Sequence, residues 1–283
     1  MKKFTLAPDE KSALPLKDTS TWDAPEIQRL SSGRGSWHNS TKDSGAGKRS
    51  LDKVVFLLDV DNTLLNNDAI EASLKDHLTQ EFGAENCDRY WTLLEELRTE
   101  LGYADYLGAL QRYRLEDLSD PHLLLMSTFL VDYPFANRLY PGALDVIQHL
   151  NRWGLTIILS DGDVVFQPRK VQRSGLWDAV EGRVLIYIHK EQMLEEVMRR
   201  YPARHYIMVD DKLSILAAMK GILGNRLTTV FPRQGHYAHD PKNIAAYPPA
   251  DITIKAIGDL VNYELTALLS KAAADAGAEQ ENS

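Results

Sequence analysis

Val54-Val55-Phe56-Leu57-Leu58-Asp59-Val60-Asp61-Asn62-Thr63 is an apolar run that ends abruptly in two carboxylates. Five apolar residues bounded by charge are too few for a helix and fit a strand buried on both faces, as parallel sheets require. The two aspartates then sit where the strand leaves the sheet, the edge at which open α/β sheets place their ligands. If the chain stays extended there, Asp59 and Asp61 point the same way, because side chains at i and i+2 share a face. Like charges held that close repel, so the pair calls for a cation or a shared proton, and magnesium is the natural candidate. The bland alternative for an isolated pair is a helix cap or a polar turn. A calcium loop does not fit: counting from Asp59, the sixth and twelfth positions are Leu64 and Ile70, where an EF-hand needs glycine and glutamate.

Downstream of Thr63 the period changes. Ile70, Leu74 and Leu78 recur every four residues, as do Leu93 and Leu97, and Tyr103, Tyr106, Leu107 and Leu110 mark another apolar face. These spacings predict a small helical insert reaching to about Arg138. Alternation of helix and strand then resumes. Pro141 and Gly142 open a helix with Val146, Ile147 and Leu150 inward, and Gly154 stops it before the strand Leu155–Leu159. Further strands are expected at Val184–Ile188, Tyr206–Val209 and Leu227–Phe231, with helices through Met193, Leu194 and Val197 and through Leu213, Leu216 and Met219. A last helix is expected near Ile257–Leu269. Strands alternating with helices of this length indicate an α/β fold, a Rossmann-like parallel sheet sandwiched by helices.

The 283 residues are ample for a buried core. Forty acidic against 32 basic residues give a net charge of −8, which argues against nucleic-acid binding. The single cysteine, Cys87, excludes an internal disulfide and a thiolate zinc site. No apolar run approaches the ~18 residues of a membrane span. No secretory core follows Lys2 and Lys3, so the expected compartment is the cytoplasm. Residues 1–50, rich in Ser, Thr, Gly, Lys and Pro, read as a disordered tail, with Asp23–Leu30 as a possible short helix.

Other strands also end in polar residues. The second ends in Ser160-Asp161-Gly162, where a hydroxyl and turn amides can cradle an anion, and the fourth ends in Asp210-Asp211. Lys190 stands at the start of the helix before that fourth strand. Asp59, Ser160, Lys190 and Asp211, in this order and these contexts, resemble the haloacid dehalogenase superfamily of phosphatases and related phosphoryl-transfer enzymes. The resemblance covers residues 53–265: Asp59-Val60-Asp61-Asn62-Thr63 matches its DxDxT motif, Leu159-Ser160 its second, Lys190 its third and Asp210-Asp211 its fourth. Lys170, in Gln167-Pro168-Arg169-Lys170, competes for the third motif but lies inside a helix after Pro168.

The resemblance implies a catalytic core of residues 51–67 and 139–270, a helical cap of residues 68–138, and a C-terminal tail from 271 to 283. It implies Asp59 as nucleophile, Asp61 as acid and base, and Ser160, the Asp161 amide and Lys190 as phosphate-binding groups. Magnesium would be held by the Asp59 carboxylate, the Asp61 carbonyl and the pair Asp210 and Asp211, with Asp211 the direct ligand and Asp210 behind it. A dehalogenase of this superfamily lacks the second aspartate, so Asp61 favours phosphate over halide. The expected substrate is a small phosphorylated metabolite, because an inserted cap can close over the site and exclude water. A phosphomutase and a non-catalytic binding protein are the rivals on this fold. A signalling receiver domain is excluded, because only 72 residues follow Asp211. His189 reads as a surface residue, Asp163 as a cap for the helix near Pro168, and the aromatics Trp91, Tyr103, Tyr106, Tyr113 and Tyr133 as core of the insert.

Overall fold

The computed structural model describes residues 54–116 and 123–265. In chain order it runs β1 (Val54–Leu58), α1 (Asn67–Phe82), α2 (Ala84–Leu101), α3 (Tyr106–Glu116), α4 (Leu123–Asp132), α5 (Ala143–Leu150), β2 (Leu155–Asp161), α6 (Phe166–Arg173), α7 (Leu176–Ala179), β3 (Val184–Tyr187), α8 (Leu194–Arg200), β4 (His205–Val209), α9 (Leu213–Leu223), β5 (Leu227–Pro232), α10 (Pro241–Ala246) and β6 (Ile252–Ile254). The six strands form one parallel sheet in the order β3-β2-β1-β4-β5-β6. This is the Rossmann-like architecture expected from the apolar runs.

Alternation along the strands explains why both faces are covered. Phe56 and Leu58 of β1 and Ile207 and Val209 of β4 pack into one apolar cluster, whereas Val55, Leu57, Tyr206 and Met208 pack into the other. Because both faces must be dry, the strands carry no polar alternation until they leave the sheet. Each fully buried side chain of this kind contributes about 1.5–3 kcal/mol.

The four helices α1–α4 interrupt the sheet between β1 and β2. The apolar stripes expected there are buried: Ile70, Leu74 and Leu78 on α1, Leu93 and Leu97 on α2, Tyr106 and Leu110 on α3. Their cluster is continuous with one face of the sheet through Tyr106, Phe135 and Phe166. Tyr103, expected on a helical face, instead lies in the loop before α3.

Three expectations need correction. The last helix is a 3-10 turn, Ile257–Asn262, and residues beyond 265 lie outside the described residues. The strand β6 was not expected, being only three residues of an edge strand. The chain is not extended through Asp61: β1 ends at Leu58, and amides of Thr63, Leu64 and Leu65 turn back onto the Val60 carbonyl. The tail and the Asp23–Leu30 helix lie outside the described residues.

Candidate active site

Crossing from the β1-β2-β3 half of the sheet to the β4-β5-β6 half sets β4 directly against β1, with Leu58 in register with Val209 on one side and with Ile158 on the other. The residues that follow these strands are therefore neighbours: Asp59 after β1, Ser160 and Asp161 at the end of β2, Asp210 and Asp211 after β4. Crevices at such a reversal of strand order are where open sheets bind ligands.

Asp59, Asp210 and Asp211 are all buried, and one carboxylate oxygen of each lies within 4.8 Å of the others. Lys190, 2% exposed, reaches into this group, with its Nζ 2.5 Å from Asp59 Oδ1 and 2.7 Å from Asp210 Oδ2. The second is an ion contact without hydrogen-bond geometry. The lysine is aimed by its own backbone, whose amide donates to Asp161 Oδ1 at 2.7 Å. Asp210 also accepts from the Lys212 amide at 2.8 Å. Asp211 is fixed through its amide, which donates to Thr63 Oγ1 at 3.1 Å, but neither of its carboxylate oxygens has a hydrogen-bond partner.

Three carboxylates, with Lys190 in contact and Lys212 nearby, leave an excess of negative charge. Burial, with Asp210 adding to it, raises the Asp59 pKa to about 6 against the pull of Lys190. Burial followed by the fields of Asp210 and Asp59 pushes Asp211 well above the usual carboxylate range. Burial alone would lower Lys190, but Asp210 and Asp59 outweigh it and hold the ammonium charged. A buried, unpartnered carboxylate among other carboxylates fits a hard divalent cation.

Asp61 does not join this cluster. Its carboxylate is 32% exposed and turns toward α6, where Lys170 Nζ donates to Oδ1 at 2.7 Å and Gln167 Nε2 lies 3.4 Å from Oδ2. Gln167 also donates to Ser160 Oγ at 2.9 Å. Sequence reasoning set Lys170 aside because it lies inside a helix after Pro168; it does lie inside α6, and from there it reaches Asp61. The spacing of Gln167 and Lys170, one turn apart on a helix right after the second motif, was the available signal. Asp163 does cap α6, accepting from the amides of Val165 and Phe166 at 2.7 and 2.6 Å. His189 is on the surface, its ring against Gly102.

Beside Asp61 opens a cleft of about 120 Å³. The core lines it with Asp61, Asp161 and Lys212, the insert with Glu71, Arg98 and Tyr103. No helix among the described residues is long and apolar enough to cross a membrane.

A family model for haloacid dehalogenase-like hydrolases matches residues 54–222. The chain belongs to that family. Among solved structures, a haloacid dehalogenase-like hydrolase from Burkholderia xenovorans is 68% identical, covering 76% of this chain and 98% of that one with a TM-score of 0.73. The hydrolase YfnB of Bacillus subtilis, solved bound to magnesium, is 17% identical over 74% of this chain and 97% of its own, with a TM-score of 0.51. An L-2-haloacid dehalogenase is 18% identical over 76% of this chain and 99% of its own, with a TM-score of 0.55. At these identities the last two share the fold alone. A search of curated proteins returned no match. As a haloacid dehalogenase-like hydrolase the chain is an enzyme, and Asp59, Lys190, Asp210 and Asp211 meet at one edge of its sheet.

Proposed function

We propose that this hydrolase is a magnesium-dependent phosphatase that cleaves a small phosphomonoester through an aspartyl-phosphate on Asp59, with residues 68–138 as a cap over a core of 51–67 and 139–270. The observation that carries the reading is the charge imbalance at the sheet edge: Asp59, Asp210 and Asp211 outnumber the two lysines that act on them, Lys190 in contact and Lys212 nearby, and both Asp211 oxygens lack a hydrogen-bond partner. The Asp59 carboxylate, the Asp61 main-chain carbonyl and Asp211 would hold the magnesium, with Asp210 supporting from behind, already engaged by Lys190 and the Lys212 amide. An all-oxygen donor set of this kind suits magnesium, which when bound supplies positive charge to the oxygens of the transferring phosphoryl group.

Asp59 attacks phosphorus. The bond to the leaving oxygen breaks as Asp61, the acid exposed to the cleft, delivers a proton to that oxygen. Asp61 then takes a proton from the water that attacks the aspartyl-phosphate, which frees phosphate and restores Asp59. The Ser160 hydroxyl and the Asp161 amide bind the phosphoryl oxygens, and Lys190 holds the nucleophile's orientation and offsets its charge. The small cleft, walled by the insert, limits the leaving group to a small metabolite.

The test is magnesium-dependent phosphate release from an aryl phosphate, then from a panel of phosphorylated metabolites. Turnover lost in D59N supports the reading. In D211N, apparent magnesium affinity should fall by more than the ~10–100-fold that loss of an outer partner costs. Halide release from 2-haloacids, or isomerisation of a sugar phosphate, with no phosphate release from any ester would overturn it. So would a folded protein that binds magnesium and turns over nothing.

A further inference from the structure

Lys170 is 1% exposed, yet none of the roles assigned to the site uses it. A buried ammonium is costly unless it is paired and its protons are placed. Here the protons go to Asp61 Oδ1 at 2.7 Å and Asn67 Oδ1 at 3.0 Å, while the Phe166 ring lies 5.2 Å from Nζ. Asn67 is itself held, its amide nitrogen 3.3 Å from Glu71 Oε1, an oxygen that also accepts from the Tyr106 hydroxyl at 2.6 Å. Lys170 is thus fixed on both sides. One turn earlier on α6, Gln167 reaches the other oxygen of Asp61 and shares its amide with Ser160. The approach of Gln167 depends on Gly162, where a Cβ would fall 2.6 Å from Gln167 Cβ.

The helix that carries both residues is also anchored to the insert. Arg169 donates to the Val131 carbonyl at 3.2 Å and to Asp132 at 3.2 Å, and Arg173 donates to the Asp132 carbonyl at 2.9 Å, all at the end of α4. One short helix therefore grips both the insert and the Asp61 carboxylate. A two-point hold on a side chain that is one-third exposed removes rotamers that would let it swing into solvent, which is what proton delivery along a fixed line requires.

We infer that Lys170 and Gln167 are positioning residues that orient the Asp61 carboxyl toward the leaving oxygen, and that Lys170 is the stronger of the two. This rests on the phosphatase reading, in which Asp61 protonates that oxygen. Its consequence is selective: an acidic phenol departs without a proton, whereas an alcohol or a basic phenol does not.

The experiment measures kcat/KM for a series of phosphate monoesters, from nitrophenyl to unsubstituted phenyl to alkyl, in the wild-type chain and in K170M. The wild type should show a shallow dependence on leaving-group basicity. K170M should keep most activity on the nitrophenyl ester and lose about 10²-fold on alkyl esters, part of the range that general acid catalysis supplies. K170R, which restores a donor, should recover part of the alkyl activity, and adding K170M to D61N should cost under about threefold more. A uniform loss across the series, or no loss, overturns the inference while leaving the phosphatase reading intact. No wild-type turnover of any ester overturns both. If K170M does not fold by circular dichroism, Q167M decides: a smaller steepening of the same kind is expected, and an unchanged slope overturns the inference.

Discussion

Lys190 and Lys170 are both almost wholly removed from solvent, and each reaches one aspartate of the same Asp59-Val60-Asp61 segment, but the two surroundings differ in charge balance. Around Lys190 stand Asp59, Asp210 and Asp211, so even with Lys212 nearby the carboxylates outnumber the lysines, and the Asp211 oxygens are left without a hydrogen-bond partner. Around Lys170 the only carboxylate in ion-pair contact among the described residues is Asp61, and the lysine also contacts the neutral Asn67 amide and an aromatic ring. The first region carries charge that a further cation could answer. The second is complete as it stands. An unbalanced cluster stores the capacity to bind charge, whereas a balanced pair fixes the position of a group that must move a proton.

Substitutions test that contrast, beginning with the nucleophile. D59N should lower kcat on any phosphomonoester by on the order of 10⁵-fold, because the covalent route is lost outright. Residual turnover within tenfold of wild type, measured with a purified chain, would mean that the unbalanced cluster does not house the reaction. D61N comes next, with a loss of about 10²–10⁴-fold on alkyl phosphates. Magnesium affinity followed by calorimetry should barely change in that variant, since the Asp61 carboxylate lies outside the carboxylate cluster.

K190M should cost about 3–5 kcal/mol of stability in urea unfolding without metal, because it leaves Asp59 and Asp210 buried without their cation. Saturating magnesium should return part of that loss; no recovery would break the claim that the two cations share one charge deficit. The smallest effect is on pH dependence. In chelator the folded chain holds a proton on Asp59 up to about pH 6, whereas the unfolded chain releases it near 3.8. Between those values the folded state binds more protons, so stability is highest at the acid end and falls as pH rises toward 6, by at most about 3 kcal/mol. Burial raises Asp211 in the same direction. Thermal melts in chelator should therefore shift down with pH across this window and flatten when magnesium is added; melts that rise with pH would contradict the imbalance.

Legibility followed the physics of each element. The strands β1, β2, β4 and β5 lie largely buried on both faces, and that condition writes itself as apolar runs, continuous in β1 and broken only by threonine within β2 and β5. The edge strand Ile252–Ile254 is three residues long and leaves no such run. The stripes of the insert were readable because one face of each helix is dry. The turn after Leu58 was not, because the preference of Val60 for extended backbone is overridden by amides closing onto its carbonyl. That turn is why Asp59 and Asp61, expected on one face, separate into the two regions compared above.

The sequence by itself determined which chemical groups leave the sheet and in what order: a DxD pair, a hydroxyl, a lysine and an acidic pair, each after an apolar run or at a helix start. Only the tertiary structure decided which charge answers which. The crossover that lays β4 beside β1 brings Asp210 and Asp211 onto Asp59, and the approach of α6 beneath the insert gives Lys170 to Asp61 while Lys190 goes to Asp59. Coulomb energies inside a protein depend on a few ångströms of separation and on burial, and neither distance nor burial is a property of spacing along the chain.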